Sequence, residues 1–579
     1  MHNFRVWGPN AGDIAVSIGD RSFPMQKDQR GWWSVRVEEA SAGTDYQFLV
    51  DGKEPVPDPR AQYQPEGIHG PSRLVDHSRF KWTDRHWQAR PLSSAIFYEL
   101  HIGTFTREGT FRSAIEKLDH LVDLGVTHIE LMPVNEFSGK WGWGYDGVDL
   151  FAPHHAYGSP DDLKAFVNAC HEKGLAAVLD VVYNHFGPVG NYLNAFGPYF
   201  TNAYNTPWGS AVNLDHAGSP EVRRFFIDNA LMWLRDYHFD GLRLDAIHAF
   251  FDKSAVHFLE FLKSEIETLS SQAGRHLCLI AESDFNDPRV VTSRDRGGFG
   301  IDAQWSDDFH HALHSVLTGE RKGYYEDFGS YGQLAKALQQ VFVYDGIYSP
   351  HRDRYHGRKV EGLSAHHFLG YSQTHDQVGN RAQGERIGQL AGPGKQKIAA
   401  ALVLTSPFVP MLFQGEEFGA STPFQYFTHH EEDELGKAVS EGRRNEFGAF
   451  GWKPEEVPDP QEEETFQRSK LNWSEVCREP HASMLAWYKR LIELRKFSKT
   501  LNDGKLDGVA VEFDERAQWF VVIRGDVQVV CNLAPDRQAV PIRCGGGEIF
   551  CSAEGWQLRP GLIELPGESV AIGVARRGD

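Results

Sequence analysis

The chain has few cysteines for its length, with six in 579 residues. They are widely spaced, and none stands in the Cys-x-x-Cys arrangement that holds zinc in many proteins. This scarcity excludes a disulfide framework. Basic residues are also in short supply, since 59 Lys and Arg face 79 Asp and Glu, which gives a net charge of -20. Such a charge disfavours nucleic acids and anionic membrane surfaces as partners.

Long apolar runs are missing as well. No apolar stretch approaches the roughly 18 residues that a membrane span needs, so we expect no membrane association. Residues 1–7 do not combine a charged region with an apolar one, as a secretory signal would. We therefore expect a soluble, cytoplasmic protein. No cofactor is expected, and no metal site is assigned.

The chain falls into three compositional blocks, which we predict to be domains: 1–88, 89–500 and 501–579. The first block shows short alternating runs such as Ile14–Ile18 and Trp33–Val37, separated by Gly, Asp and Pro. This pattern is typical of a small antiparallel β-sandwich, similar to immunoglobulin domains and carbohydrate-binding modules. The last block repeats it and is predicted to be a second β-sandwich. Its candidate strands are Trp519–Ile523, Val527–Cys531 and Ala539–Ile542.

The middle block alternates apolar runs with helical patterns. Apolar strands joined by helices indicate a parallel sheet covered on both faces, and eight of them predict a (β/α)8 TIM barrel of the α/β class. An open doubly wound sheet would need a Gly-rich phosphate loop after the first strand, which is absent. A long loop insertion is predicted at about 184–219. The eight candidate strands are Ile96–His101, His128–Pro133, Ala176–Val182, Gly241–Asp245, Leu277–Ala281, Asp302–Trp305, His367–Tyr371 and Val409–Gln414.

Three of these strands are followed or ended by a carboxylate: Asp245, Glu282 and Asp376. The carboxyl ends of all strands of a parallel barrel meet on one face, which carries the chemistry. Carboxylates gathered in a sugar-sized cleft are the groups that break glycosidic bonds. The 15 Trp of the chain are compatible with sugar binding, because aromatic faces pack against pyranose rings.

Four segments at the strand ends resemble the conserved regions of the α-amylase family of glycoside hydrolases: Asp180–His185, Gly241–Asp245, Ala281–Ser283 and Thr374–Asp376. They occur in the family order. The resemblance implies that Asp245 is the nucleophile, Glu282 the general acid/base, and Asp376 the carboxylate that holds sugar hydroxyls in the transition state. It also implies that Tyr145, His185, Arg243 and His375 line the sugar site, with Asp180 in support.

The residue types suit these roles. Arg243 stands two residues before Asp245 on the same strand, so both side chains point to one side, and a guanidinium favours an ionised carboxylate. Glu282 follows an apolar run, where loss of water favours the protonated acid. His248, in the loop after the fourth strand, is a candidate wall of the substrate site. His101, after the first strand, is equally compatible with a core residue and with a sugar contact.

Within the α-amylase family, Pro57–Arg60, Gln64–Ser72 and Asn286–Arg289 resemble the maltooligosyltrehalose trehalohydrolases. Branching enzymes usually show Glu-Glu-Ser where this chain has Glu282-Ser283-Asp284. The resemblance implies that maltooligosyl trehalose, or a related α-glucan, is the substrate, and that the protein works with a maltooligosyltrehalose-forming enzyme. The alternatives are a 1,4-α-glucan branching transglycosylase and a non-catalytic glucan-binding protein, although the latter would be expected to lose carboxylates.

Overall fold

A closed parallel barrel of eight strands lies at the centre of the computed structural model, which describes residues 1–448, 452–543 and 547–575. Every pairing between neighbouring strands is parallel, and the last strand closes on the first with Met411 opposite Phe97. The barrel strands are β1 (Phe97–Leu100), β2 (His128–Leu131), β3 (Ala176–Val181), β4 (Gly241–Leu244), β5 (Cys278–Ala281), β6 (Ala303–Trp305), β7 (Phe368–Gly370) and β8 (Val409–Phe413).

The barrel strands form because they are buried on both faces. All six residues of β3 are buried, and so are all five of β8. Inward-facing side chains from several strands, among them Phe97, Val178 and Trp305, pack into one core cluster. The structure therefore confirms the predicted (β/α)8 barrel, whose eight strands coincide with the eight apolar runs of the sequence.

Helices cover most of the crossovers between strands. The helix after β2 illustrates why they form: Ser159 caps it in a capping box with Asp162, and Pro160 occupies its first turn. The connection after β5 contains only the short 3₁₀ turns Pro288–Val290 and Arg294–Arg296. The covering helices are Phe111–Ile115, Leu118–Leu124, Pro160–Glu172, Ser219–Asp236, Phe258–Ala273, Asp307–Thr318, Tyr331–Gln340, Ile387–Thr405 and His481–Phe497. Shorter or peripheral helices are Ile102–Phe105, Leu193–Phe196, His375–Gly379, Asp433–Gly448 and Glu463–Arg468.

Antiparallel sheets precede and follow the barrel. We propose domain boundaries near residues 88 and 500, because these sheets lie outside the barrel in sequence. The N-terminal strands are His2–Trp7, Ile14–Ile18, Arg21–Pro24, Gln26–Lys27, Trp32–Val37, Asp45–Val50 and Ser72–Arg73. The C-terminal strands are Val509–Asp514, Trp519–Arg524, Val527–Asn532, Gln538–Pro541, Glu548–Cys551, Gln557–Arg559, Leu562–Leu565 and Ser569–Val574.

The loop insertion after β3 has more structure than its sequence pattern indicated. It contains a short helix, Leu193–Phe196, and a hairpin of Phe200–Thr206 with Gly209–Val212. Much of the hairpin is exposed, so its residues do not alternate between apolar and polar types as a half-buried strand would. The turn of this hairpin carries Trp208, which reaches the barrel mouth. Smaller hairpins are Asn135–Phe137 with Gly147–Pro153 and Ile347–Ser349 with Arg354–His356.

No helix within the described ranges is long and apolar enough to cross a membrane.

Candidate active site

A cavity of about 430 Å³ opens at the carboxyl ends of the barrel strands. Asp245, Glu282 and Asp376 all line it, so the structure brings the three predicted carboxylates into one site. Four further residues named from the sequence share the lining: Tyr145, His185, His248 and His375. Asp180 and Arg243 are almost completely buried and hold the lining residues from behind.

The Arg243 guanidinium orients Asp245. Its Nη1 donates to Asp245 Oδ1 at 2.8 Å and to the two Asp180 oxygens at 2.8 and 3.0 Å. Asp180 and Arg243 are register partners on β3 and β4, which explains their contact. The face of Trp305 lies 4.3 Å from the guanidinium carbon and covers it with a cation–π contact. Asp245 is thus held in one orientation with its charge compensated, as a nucleophile requires.

Glu282 lies one residue past β5 in a different environment. Its Oε2 accepts the Ala246 backbone N–H at 2.6 Å and lies 3.8 Å from Arg243 Nη2. Burial raises the pKa of Glu282 well above its ordinary value, Arg243 opposes this, and the charge of Asp245 adds to it. A carboxyl group that keeps its proton near neutral pH can act as a general acid.

The backbone conformation at Ala246 directs the Ala246 N–H toward the Glu282 side chain. Ala246 has a φ of 40°, in the left-handed region that non-glycine residues rarely occupy. The chain bends there between Asp245 and the short helical turn Ile247–Ala249. The bend directs one amide at the Glu282 side chain, while the Ile247 amide donates to the Glu282 carbonyl at 3.0 Å. The loop after Asp245 and Glu282 are therefore joined by two hydrogen bonds that backbone amides donate.

Asp376 lies in the first turn of the helix His375–Gly379, which Thr374 caps. Its side chain is 39% exposed to the cavity and accepts from Asn380 Nδ2 at 3.2 Å. The preceding His375 is buried: its Nδ1 lies 2.5 Å from Glu99 Oε1, and its amide donates to Glu99 Oε2 at 2.9 Å. Burial lowers the pKa of His375, but Glu99 and Asp376 outweigh it and raise the value to about 9. His375 is thus a cation in the wall of the cavity.

Tyr145 joins the two sides of the cavity. Its hydroxyl donates to Asp180 Oδ2 at 2.6 Å and lies 2.8 Å from His375 Nε2. Its ring stacks on the His375 ring, with centroids 5.1 Å apart. The Tyr145 carbonyl in turn lies 2.9 Å from His185 Nε2, and the His185 ring lies parallel to Trp208 at 4.5 Å. These contacts fix an aromatic surface in the cavity that Asp245 also lines.

Two other histidines lie in different settings. His248 lines the cavity, and its ring meets the exposed Phe285 edge-on with centroids 5.8 Å apart. His101 is 1% exposed, and its Nε2 lies 2.9 Å from the Gly142 carbonyl oxygen and 3.0 Å from the Tyr157 hydroxyl. His101 is therefore a core residue of this fold, and the alternative of a direct sugar contact is not supported.

Sequence reasoning missed part of the lining. Trp143 and Asp146 flank Tyr145 in the chain, and their proximity to it was the available signal. Trp208 could have been noticed as the only Trp in the long insertion. Tyr426 carried no signal, since it follows β8 in an irregular segment. The lining residues that it missed are Trp143, Asp146, Trp208, Ala246, Tyr426 and Phe427.

One cluster outside this cavity has potential metal ligands. Atoms of Glu136, His154 and His155 lie within 4.8 Å of one another. Glu136 Oε1 lies 3.1 Å from His154 Nδ1 and 2.7 Å from His155 Nδ1, while Oε2 accepts the His155 amide at 2.7 Å. His154 Nε2 is buried without a partner, whereas a metal-bound histidine usually donates its second N–H to an acceptor. The cluster fits a hydrogen-bonded ion group better than a metal site.

Comparison with known families matches two parts of the chain. Residues 75–204 match the alpha amylase catalytic domain, and residues 504–572 match a domain of unknown function, DUF3459. The first match covers β1 to β3 and the first part of the insertion that follows, and the second covers most of the C-terminal sheets.

Similar proteins cover nearly the whole chain. A malto-oligosyltrehalose trehalohydrolase from Rhizobium sp. strain M-11 is 48% identical over 578 residues, which span 98% of this chain and 97% of the relative. One from Mycobacterium tuberculosis is 47% identical over 99% of both chains. The crystal structure of a Salmonella typhimurium protein assigned as an alpha amylase superposes with a TM-score of 0.91 at 38% identity, covering 99% of this chain and 97% of that one. With its barrel and gathered carboxylates, the chain belongs to the malto-oligosyltrehalose trehalohydrolases of the α-amylase family of glycoside hydrolases.

Proposed function

We propose that this enzyme hydrolyses the α-1,4-glucosidic bond next to the terminal trehalose of maltooligosyl trehalose and releases trehalose, with retention at the anomeric carbon. The observation that carries the proposal is the meeting of Asp245, Glu282 and Asp376 in one cavity. The full-length similarity to trehalohydrolases supports the choice of substrate.

The proposed first step is glycosyl transfer to the protein. The Asp245 carboxylate attacks the anomeric carbon while Glu282 gives its proton to the glycosidic oxygen, so trehalose leaves as a neutral alcohol. In the second step, Glu282 takes a proton from a water molecule, whose oxygen displaces Asp245. The opposed surroundings of the two groups support these roles. Asp245 accepts directly from Arg243 at 2.8 Å, whereas Glu282 lies 3.8 Å from the same guanidinium.

Asp376 and the aromatic side chains would hold the sugar during these steps. The exposed carboxylate of Asp376 can accept hydrogen bonds from ring hydroxyls, which are most valuable when they strengthen in the transition state. The flat surfaces of Tyr145, Trp208 and Tyr426 can pack against the C–H faces of glucose rings. The cationic His375, whose Nε2 lies 3.5 Å from Asp376 Oδ1, compensates the charge of that carboxylate.

The trehalose unit needs its own space, because its α,α-1,1 linkage bends it and leaves no reducing end. A second cavity of about 850 Å³ adjoins the first, and Asn380 lines both. Tyr324, Arg381 and Trp452 are among its walls, which combine aromatic surface with charge. Polar groups that pair with trehalose hydroxyls would be left unpaired by a maltose end, and such mismatches discriminate strongly.

The test compares two substrates of equal length. Maltooligosyl trehalose should give a kcat/KM at least roughly tenfold above that of the plain maltooligosaccharide, about 1.4 kcal/mol, with trehalose as the smallest early product. Equal rates on both would reduce the enzyme to a general α-glucanase. New α-1,6 branches on amylose, with little trehalose released, would establish a branching transglycosylase.

The substrate carries a further implication. A trehalose-terminated glucan must be supplied by an enzyme that converts the terminal α-1,4 bond into an α,α-1,1 bond, so we propose that such an enzyme works with this one. We also propose a reducing compartment such as the cytoplasm. This is supported by the free thiol state of Cys170, Cys278, Cys477, Cys531 and Cys551.

A further inference from the structure

A fourth carboxyl group lies at the same barrel edge as the acid/base. Asp307 is two residues past β6, in the first turn of the helix Asp307–Thr318. Strands β5 and β6 are parallel neighbours in which Ala281 lies opposite Gln304. Glu282 and Asp307 therefore both project from the carboxyl edge of adjacent strands. The described lining of the 430 Å³ cavity includes Glu282 but not Asp307.

Tyr371 fixes this carboxyl group from the next strand. It is completely buried just after β7, and its hydroxyl donates to Asp307 Oδ1. The Tyr371 ring stacks on His310, with centroids 5.7 Å apart, and meets Trp305 at 5.3 Å. Trp305 is the ring that covers the Arg243 guanidinium. Asp307 is thus part of a continuous set of packed side chains that runs through Tyr371 and Trp305 to Arg243 in the catalytic site.

The charged groups around Glu282 come from the ends of three other strands. Arg243 and Asp245 act on it from β4, Asp307 from the end of β6, and Asp376 from the helix after β7. Arg243 is the positive member of this set. Burial has the largest effect and raises the pKa of Glu282, while the negative charges of Asp245, Asp307 and Asp376 add to the rise.

The surroundings of Asp307 are also mostly acidic. Burial raises its pKa to about 7, and the hydrogen bond from Tyr371 opposes the rise. The charges of Asp376, Asp284 and Asp308 contribute to this raised pKa. Two carboxyl groups that share a poorly solvated region resist being ionised together, so a charge on one favours the proton on the other. The Tyr371 hydroxyl favours the charge on Asp307.

We propose that Asp307, held by Tyr371, is a positioning residue that keeps the catalytic proton on Glu282 without touching the sugar. The inference rests on the proposed role of Glu282 as proton donor, and not on the identity of the substrate. Asp307 acts through Glu282 alone, so its charge should govern the pH range of activity and leave sugar binding unchanged.

The test is the pH profile of kcat/KM, whose limbs report the free enzyme. Asp307→Asn keeps the shape and an acceptor for Tyr371 and removes only the charge. Glu282 should then lose its proton at lower pH, which moves the alkaline limb down by about one pH unit. KM should change less than twofold. Tyr371→Phe should move the limb in the same direction by a smaller amount. Without the Tyr371 hydroxyl, Asp307 keeps its own proton to higher pH, and a neutral Asp307 no longer opposes the ionisation of Glu282.

Asp284→Asn is the matched control. This Asp stands two residues after Glu282, but its side chain is 41% exposed and lies 3.8 Å from Arg352 Nη2. Solvent and that guanidinium screen its charge at Glu282, so the alkaline limb should move far less than in Asp307→Asn.

An unmoved limb in both Asp307→Asn and Tyr371→Phe would overturn the proposal. So would a KM raised more than tenfold by Asp307→Asn with the limb in place, since Asp307 would then be a substrate contact. If Asp307→Asn does not fold, Tyr371→Phe decides alone. The profiles are measured on maltooligosyl trehalose and on plain maltooligosaccharide. If the alkaline limb shifts on either substrate, the role of Asp307 is supported. This holds even if the enzyme does not prefer maltooligosyl trehalose.

Discussion

Replacing Asp245 by Asn tests the proposed nucleophile with little change of shape. The nucleophile makes one hydrogen bond with Arg243, whose guanidinium also binds both oxygens of Asp180. After Asp245→Asn, the amide oxygen can still accept from Arg243, and Arg243 keeps its charged partner. The cost to folding is then the difference between a charge-assisted and a neutral hydrogen bond, about 1 kcal/mol.

The effect on catalysis should be far larger. An amide cannot form the covalent glycosyl intermediate, so we expect kcat to fall roughly 10³- to 10⁵-fold, about 4–7 kcal/mol of transition-state stabilisation. The assay is trehalose release under saturating substrate, with the unfolding midpoint in urea measured in parallel. The combination expected is a nearly unchanged midpoint with almost no turnover.

Two results would refute this reasoning. Turnover within tenfold of the unmodified enzyme would show that another group attacks the anomeric carbon. A collapse of the folded state would show that Arg243 depends on Asp245 more than on Asp180. Asp245→Ala with added azide separates the cases further, because a small anion can occupy the vacated space and replace the missing nucleophile. Rescue should produce a glycosyl azide of inverted configuration.

The remaining predictions concern the acid/base, the stereochemistry and the pH dependence of stability. Glu282→Gln should remove most activity together with the alkaline limb of the pH profile, because the reaction needs the protonated acid; survival of that limb would assign it to another group. Proton NMR of an early reaction mixture should show the α-anomer at the new reducing end, as retention requires, and a β-anomer would mean inversion. The pKa of His375 is raised from 6.5 to about 9, so its ion pair with Glu99 contributes stability that is complete below pH 6.5 and is lost as pH rises through about 9. Urea unfolding from pH 6 to 10 should show this loss, and Glu99→Gln should flatten it; equal slopes in both proteins would contradict the linkage.

Much of the fold could be predicted from local sequence. The barrel strands are short apolar runs bounded by polar residues. Such runs are too short to span a membrane, so they predict strands that are buried on both faces of a sheet. Their alternation with helical patterns predicted a parallel sheet. The connection after β5 was harder to judge, because Pro288 and the paired Gly297 and Gly298 prevent a regular helix there.

The positions of the carboxylates could also be predicted. Strand geometry places residues 243 and 245 on the same side, and barrel topology brings the ends of all strands to one face. The sequence therefore determined which carboxylates meet at the barrel mouth. It also determined, through four short segments in a characteristic order, that they resemble the α-amylase family.

Only the tertiary structure decided how these residues are used. Asp245 and Glu282 both follow apolar strands, yet Asp245 accepts a hydrogen bond from Arg243 Nη1, whereas Glu282 lies 3.8 Å from Arg243 Nη2 and is also influenced by three carboxylates. That difference depends on side chains contributed by β3, β6 and β7, which are distant in sequence. Trp208 reached the cavity through the fold of an exposed hairpin, whose sequence has no periodicity to reveal it. Long-range packing and electrostatics are sums over many strands, so no local pattern contains them.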